Sequence, residues 1–288
     1  MSASVVSASK PALLEREVVL EPPRGWSALN LRELWDYRDL LYFLVWRDIK
    51  GRYQQMALGP LWILIQPLMS MVLYTLIFGL IAKLDSDGKP YAVFAYTALL
   101  PWGFFSDAVA SGANCFVDNR HLMSKIYFPR LLLPLARMIS GLVDLAISFL
   151  ILIIMLVAFG IQPNWGGVAL LPVLLVIAGM TGLAVGLWFS GIVARFRDFG
   201  QVAGYLVRTW MYATPVVYSM EVIPEQWRTL YQLNPLTGVV QGFRWALLGT
   251  ATPPAWGILA AGTLVVALVF VGGLYYFRRT ERSIVDVA

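Results

Sequence analysis

"QWRTLYQLNPLTGVVQGFRWALLG", residues 226–249, is too apolar for an ordinary loop and too interrupted for a membrane span. Trp227, Leu230, Tyr231, Leu236, Val239, Val240, Phe243, Trp245 and Leu247 run through it, while Arg228, Asn234-Pro235 and Arg244 break it. A crossing helix needs roughly 20 mostly apolar residues in a row, which this stretch does not supply. Proline lacks an N–H and restricts its predecessor, so the pattern predicts two short helices, Glu225–Leu233 and Leu236–Leu248, broken at Asn234-Pro235.

The segments around it are membrane spans. The chain has 288 residues, 59% hydrophobic and only 14% charged, against about 25% charged in soluble domains. Hydropathy predicts an all-α integral membrane fold with six transmembrane helices, over 61–82, 91–116, 131–159, 168–194, 199–218 and 256–277. Three of them carry ionisable groups: Asp107 in the second, Arg137 and Asp144 in the third, Arg208 in the fifth. The domain order is a flexible cytoplasmic tail (1–28), an interfacial helix (29–58), the transmembrane domain (59–277) and a short cytoplasmic tail (278–288). The first 25 residues have no apolar h-region and carry both charge signs, so they do not read as a signal peptide. Cys115 is the one cysteine and cannot form an intrachain disulfide.

Seventeen of the 22 lysines and arginines lie before residue 61, between 120 and 137, at 195–197 or after 277. The positive-inside rule therefore puts both termini in the cytoplasm and residues 226–249 outside, between spans five and six. It also accounts for the net charge of +5 without any nucleic-acid partner. An outward segment of this kind dips into the outer leaflet as a re-entrant pair, which requires protein or a wet cavity beside it. An amphipathic hairpin lying on the surface is the alternative.

Two inward elements stand out. In "LRELWDYRDLLYFLVWRDIKGRYQQMALGPLW", Leu34, Tyr37, Leu41, Leu44 and Val45 follow helical spacing, with Arg38, Asp39, Arg47, Asp48, Lys50 and Arg52 as the polar complement. Trp35, Tyr42 and Trp46 suit the headgroup layer, so this reads as an amphipathic helix along the inner leaflet. In "CFVDNRHLMSKIYFPRLLLPLAR", Asp118 or Asn119 can cap a short helix and Pro129 ends it. That turn exposes Arg120, His121, Met123 and Lys125 as a handle for a cytoplasmic partner; an ordinary loop is the plainer reading.

"RDIKGRYQQMALGPLWILIQPL", "SKIYFPRLLLPL" and "ATPVVYSMEVIPEQWRTLYQLNPLTGVVQGFRWALLG", set in a six-span frame, resemble the ABC-2 type permeases that export O-antigen, capsule and teichoic acid. The resemblance covers about Asp36 to Phe277, in the family's order. It implies a bacterial inner-membrane permease moving lipid-linked polysaccharide, with a coupling helix after span two and a periplasmic gate between spans five and six. On that reading the gate is formed by Trp227, Tyr231, Asn234, Pro235, Phe243 and Trp245. Arg120, His121, Met123 and Lys125, with Arg47 and Arg52 of the interfacial helix, would meet two ATPase subunits that bind ATP and Mg. This chain itself holds no cofactor: Gly88-Lys89 precedes Pro90 and lacks both the upstream glycine and the following Ser or Thr of a P-loop. Six spans make a thin channel wall, so a second copy is expected opposite. Another amphipathic lipid or a drug is the alternative cargo.

Within the spans, Ala178, Gly182, Gly186 and Ser190 form a small-residue ridge, expected to pack inside one protomer rather than at a dimer seam. Arg208 sits on the order of 13 Å into span five, and Asp144 at comparable depth is its expected ion-pair partner; a wet position near a lipid phosphate is the alternative. Sugar C–H faces pack on aromatic rings, which makes Trp62, Tyr74, Tyr96, Trp102, Trp210, Tyr212 and Tyr218 candidate channel-lining residues, although Trp and Tyr also collect at membrane interfaces. A glycan-modifying membrane enzyme is disfavoured: His121 is the one histidine, no histidine-rich metal motif occurs, and Asp85 and Asp87 of "DSDGKP" suit a tight outward turn.

Overall fold

The computed structural model describes residues 31–54, 61–123, 125–250 and 253–285, so the expected tail over 1–28 lies outside the described residues. Two helices, α1 (Leu31–Asp36) and α2 (Arg38–Gln54), precede α3 (Leu61–Tyr74), which continues as a π-helix over Thr75–Ile81. Then come α4 (Tyr91–Asp118), α5 (Arg120–Met123), α6 (Leu132–Ala158), α7 (Trp165–Val168), α8 (Leu171–Arg195) and α9 (Phe199–Tyr212). A 3-10 turn (Met220–Val222), α10 (Glu225–Gln232), α11 (Pro235–Leu248) and α12 (Trp256–Val285) complete the order. No strand occurs among the described residues.

Five segments are long and apolar enough to cross a bilayer: Leu64–Ile81, Tyr91–Asp118, Leu132–Ala158, Leu171–Arg195 and Trp256–Glu281. They match five of the six expected spans. The span expected over 199–218 is instead a 14-residue helix, α9, about 21 Å long where a core of about 30 Å must be crossed. The reason is local. Pro215 cannot donate to the helix and disfavours helical backbone at Thr214, so the ladder ends two residues earlier.

α4 is the hub. It packs on α8, α6, α11, α9 and α3, and most of its length is buried. Its contact with α8 is close because the facing residues are small. A methyl group added at Gly182 would lie 2.6 Å from Phe105 O and from Ala108 Cβ. One added at Gly186 would lie 2.7 Å from Val109 O and 2.9 Å from Gly112 Cα. The small-residue ridge thus packs inside the protomer. α12 closes on the other side of α8, with Trp188 and Tyr276 stacked at 5.1 Å and the Trp188 indole donating to Val269 O at 3.0 Å. Outward-facing leucines, isoleucines and valines of α3, α6 and α12 stay exposed, as a lipid-facing surface requires.

The two ends of the bundle differ. At the basic end a core of Leu44, Phe116, Phe128, Leu131, Leu132 and Phe277 joins α2, α4, α6 and α12. Phe116 and Phe277 stack at 4.6 Å. At the opposite end a larger core gathers Phe94, Leu174, Leu236, Val239, Phe243 and Leu247.

α2 does more than skirt the surface. Two turns beyond Leu44, Arg52 pairs with Asp144 of α6, and its other terminal nitrogen donates to Ser140 Oγ at 2.6 Å. The expected Asp144–Arg208 pair is therefore not formed; Asp144 is held by Arg52 of α2, and Arg208 lies exposed on α9. Removing one partner takes the close opposite charge away from a partly buried group. Arg52→Ala or Asp144→Ala is expected to cost about 1–3 kcal/mol, and the charge-swapped double variant to recover part of it. Thermal midpoints of the detergent-purified variants check this: a swap no better than either single change would remove the pair's role.

Candidate functional site

The opposite end is built around an interruption. From Ala213 to Ser219 the backbone is neither helix nor strand, yet Thr214, Pro215, Val216, Val217 and Ser219 are buried. Buried carbonyls need donors. Arg244, on α11 and 3% exposed, supplies them: one terminal nitrogen donates to Pro215 O at 2.7 Å and Tyr218 O at 3.1 Å, the other to Val216 O at 2.6 Å. Its guanidinium carbon sits 3.5 Å from the Phe94 ring centroid, a cation–π contact inside the core. The Tyr91 hydroxyl donates to Val217 O.

The two short helices lie close to where sequence predicts them. Asn234 caps α11 by accepting from Leu236 N at 3.2 Å and donates to Thr214 Oγ1 at 2.9 Å, while Pro235 occupies the first turn. Gly249, with φ 63°, ends α11 in the left-handed conformation glycine tolerates. The helices differ sharply. α11 is largely buried against α4, α8 and α12, whereas α10 has no buried residue among those described. Of the expected gate residues, Trp227 is thus exposed, Tyr231 and Asn234 are half-buried, and Phe243 is in the core. Trp245 meets Trp256 edge-on at 5.7 Å.

The "DSDGKP" stretch does form a tight turn: Asp87 and Gly88 both have positive φ, and Lys89 N donates to Ser86 O at 3.1 Å. It ties to the interruption through Ser219, whose hydroxyl donates to Asp87 Oδ1 at 2.6 Å. The carboxylates of Asp85, Asp87 and Glu221 come within 4.8 Å of one another there.

α9 runs antiparallel to α4. A methyl at Gly200 would sit 3.0 Å from Asn114 Oδ1, Trp210 meets Phe105 edge-on at 5.4 Å, and Val217 reaches Tyr91. At 100° per residue the helix has three faces. Ala203, Val207 and Met211 are buried. Leu206, Ala213 and half-buried Trp210 line an apolar groove with Val185 and Phe189 of α8. Gln201, Tyr205, Arg208, Thr209 and Tyr212 fall within one arc of about 100°, and all five are exposed.

That face re-sorts the aromatic candidates. Tyr212 lies on it, 53% exposed, and Tyr218 beyond it donates to Tyr212 O at 2.8 Å. Tyr205, 70% exposed, belongs with them and was not singled out by sequence; the polar spacing from Gln201 to Tyr212 was the available signal. Tyr96 and Trp102 are corrected: both are core side chains, Tyr96 donating to Ser148 O at 3.2 Å and Trp102 packed on Phe105 at 5.1 Å. Tyr74 is half-buried beside Phe78 and Met211. The Trp62 side chain is outside the described residues.

At the basic end, α5 carries exposed Arg120 and His121, with exposed Lys125 just beyond. The Asn119 side chain does not cap α5. Its oxygen accepts from Arg47 at 3.0 Å and its amide donates to Cys115 O at 3.1 Å; its backbone carbonyl accepts from Leu122 N and Met123 N. Arg47 thereby fastens α2 to the root of α5. Met123 packs against the basic-end core and Arg52 is engaged by α6, so neither is presented outward as expected. Ile126 and Tyr127, 51% and 67% exposed, are apolar surface that sequence reading missed. Arg130 and Arg278 both meet Glu281, at 3.7 and 3.5 Å, and Arg278 reaches Glu33 at 3.7 Å, so the basic end is cross-linked from α1 to α12.

A multi-pass helical bundle with a buried irregular segment at one end, an exposed polar helix face beside it and a cluster of basic residues at the other end fits the membrane-embedded subunit of a transporter. The chain belongs to the ABC-2 type transporter family, whose profile matches residues 39–248. It is 31% identical over 253 residues to the O-antigen export system permease protein RfbA of Myxococcus xanthus, covering 87% of this chain and 96% of that one. It is 29% identical over 221 residues to the inner membrane transport permease YadH of Escherichia coli, covering 72% and 82%. It is 23% identical over 239 residues to the polysialic acid transport protein KpsM of Escherichia coli, covering 82% and 91%.

Proposed function

We propose that this chain is the channel-forming permease of an ATP-driven exporter that moves lipid-linked polysaccharide, of O-antigen or capsular type, across the bacterial inner membrane. The observation that carries the reading is the polar and aromatic face of α9. Such a face is costly against lipid and suited to a hydrated route, and a polysaccharide needs hydration for its hydroxyls and rings for its C–H faces. The names of the O-antigen and polysialic acid relatives point the same way. YadH, whose name states no polymer, keeps another amphipathic cargo as the second reading.

On this reading α9 and the irregular backbone after it make a sixth crossing, since residues 200–217 run beside residues 114–91 of α4. Both termini then lie at the basic end, which the positive-inside rule assigns to the cytoplasm. α10 and α11 form a re-entrant closure over the outer mouth of the route, and two copies enclose it. Arg120, His121 and Lys125, with Ile126 and Tyr127 as apolar anchors, dock a separate ATPase that binds ATP and Mg. Deleting the chain is expected to abolish surface polysaccharide while lipid-linked polymer accumulates inside, and the tagged chain is expected to co-purify with an ATPase. Unchanged surface glycan with no internal accumulation would sink the proposal.

A further inference from the structure

We infer that Arg208 is an anion contact for a phosphate carried at the lipid end of the cargo. The inference rests on the export reading and adds which part of the cargo the route recognises. Arg208 has no ion-pair or hydrogen-bond partner among the described residues, and it is exposed on the polar face of α9. Gln201, Tyr205, Thr209 and Tyr212, which share that face, bring no carboxylate to it, and the Thr209 hydroxyl is committed to Tyr205 O at 3.0 Å. Asp144, the carboxylate expected to neutralise it, is engaged by Arg52. Among the described residues, a whole positive charge is therefore left without a counter-charge on this face of α9.

Neutral sugars do not require that charge, and lipid penalises it. A phosphate matches it, because the guanidinium fork donates two parallel hydrogen bonds to phosphate oxygens. Two sources carry this chemistry, a bilayer phospholipid and a phosphorylated cargo lipid. Depth separates them. With α9 crossing from Phe199, Arg208 lies on the order of 13 Å along it at 1.5 Å per residue, close to the midplane of a hydrocarbon core about 30 Å thick. A resting phospholipid keeps its phosphate at the edge of that core; a phosphate in transit must pass its middle. Tyr205 and Tyr212, about one turn to either side, are placed to meet the first sugars behind it.

The test uses the permease with its ATPase in phosphatidylcholine nanodiscs, with a fluorescent polyisoprenyl diphosphate as probe and the corresponding polyisoprenol as neutral control. The wild type is expected to prefer the diphosphate, and millimolar inorganic pyrophosphate to displace it without displacing the alcohol. Arg208→Gln is expected to weaken diphosphate binding by about tenfold or more, and Arg208→Lys by about threefold, with alcohol binding equal in all three. Excess phosphatidylglycerol is expected not to compete. Equal diphosphate binding by wild type and Arg208→Gln overturns the inference; so does failure of pyrophosphate to displace, which needs no variant. Competition by phosphatidylglycerol would assign Arg208 to bilayer headgroups and overturn it as well. If those results came with the deletion phenotype intact, only the Arg208 contact would fall; loss of the deletion phenotype is what removes the export reading.

Discussion

Replacing Arg244 by methionine is expected to cost about 3–5 kcal/mol, enough to deplete the folded protein from the membrane. The side chain is of similar length, so packing is roughly kept and the loss is electrostatic. Three carbonyls, those of Pro215, Val216 and Tyr218, lose their donor at once in a site where water does not replace it. The Phe94 ring loses its cation in the same step. Arg244→Lys keeps the charge but has no planar fork spanning two donor positions, so it is expected to recover less than half of the loss. Thermal unfolding of the two variants in detergent, beside the wild type, measures both. Methionine and wild-type midpoints within a degree or two of each other would mean that the irregular stretch does not depend on this guanidinium.

Gly186→Val is expected to be as severe. At this position even a single methyl would approach Val109 O at 2.7 Å and Gly112 Cα at 2.9 Å, and both obstacles are backbone. Neither can rotate away, so α8 must withdraw from α4 along its length. Overpacking usually costs about 1–3 kcal/mol where side chains can yield, and here the strain falls on the bundle's central contact. Gly204→Val is the control, since nothing lies within 4 Å of its added Cβ. Membrane levels of the two variants and their monodispersity in detergent are the measurements. Comparable yields would show that the α4–α8 contact is looser than its geometry implies.

Much of the architecture is written locally and could be read early. Five spans announce themselves by length and apolarity, and Asn234-Pro235 marks the α10–α11 break because a cap and a proline act on neighbouring residues. The end of α9 was legible in principle from Pro215, but the apolar run through Val216 and Val217 outweighed it in a reading based on hydropathy. What escaped depends on which residues meet across the fold. Asp144 has two arginines at plausible depth, and only packing selects Arg52, 92 positions away. Tyr96 and Trp102 look like Tyr205 and Tyr212 in composition; the face of the helix, not the residue type, divides core from exposed wall. Ile126 and Tyr127 resemble any apolar pair before a proline until their exposure is seen.

The bridges from Glu33 through Arg278 and Glu281 to Arg130 have a consequence for biosynthesis. A ribosome delivers Glu33 first and Glu281 last, with nearly the whole polypeptide between them. The first helix must therefore wait until the turn of α12 that carries Arg278 and Glu281 emerges. Until then Arg130 lacks Glu281 and Glu33 lacks Arg278, and a transcript truncated shortly before codon 278 would yield a bundle whose basic end never gains these two bridges.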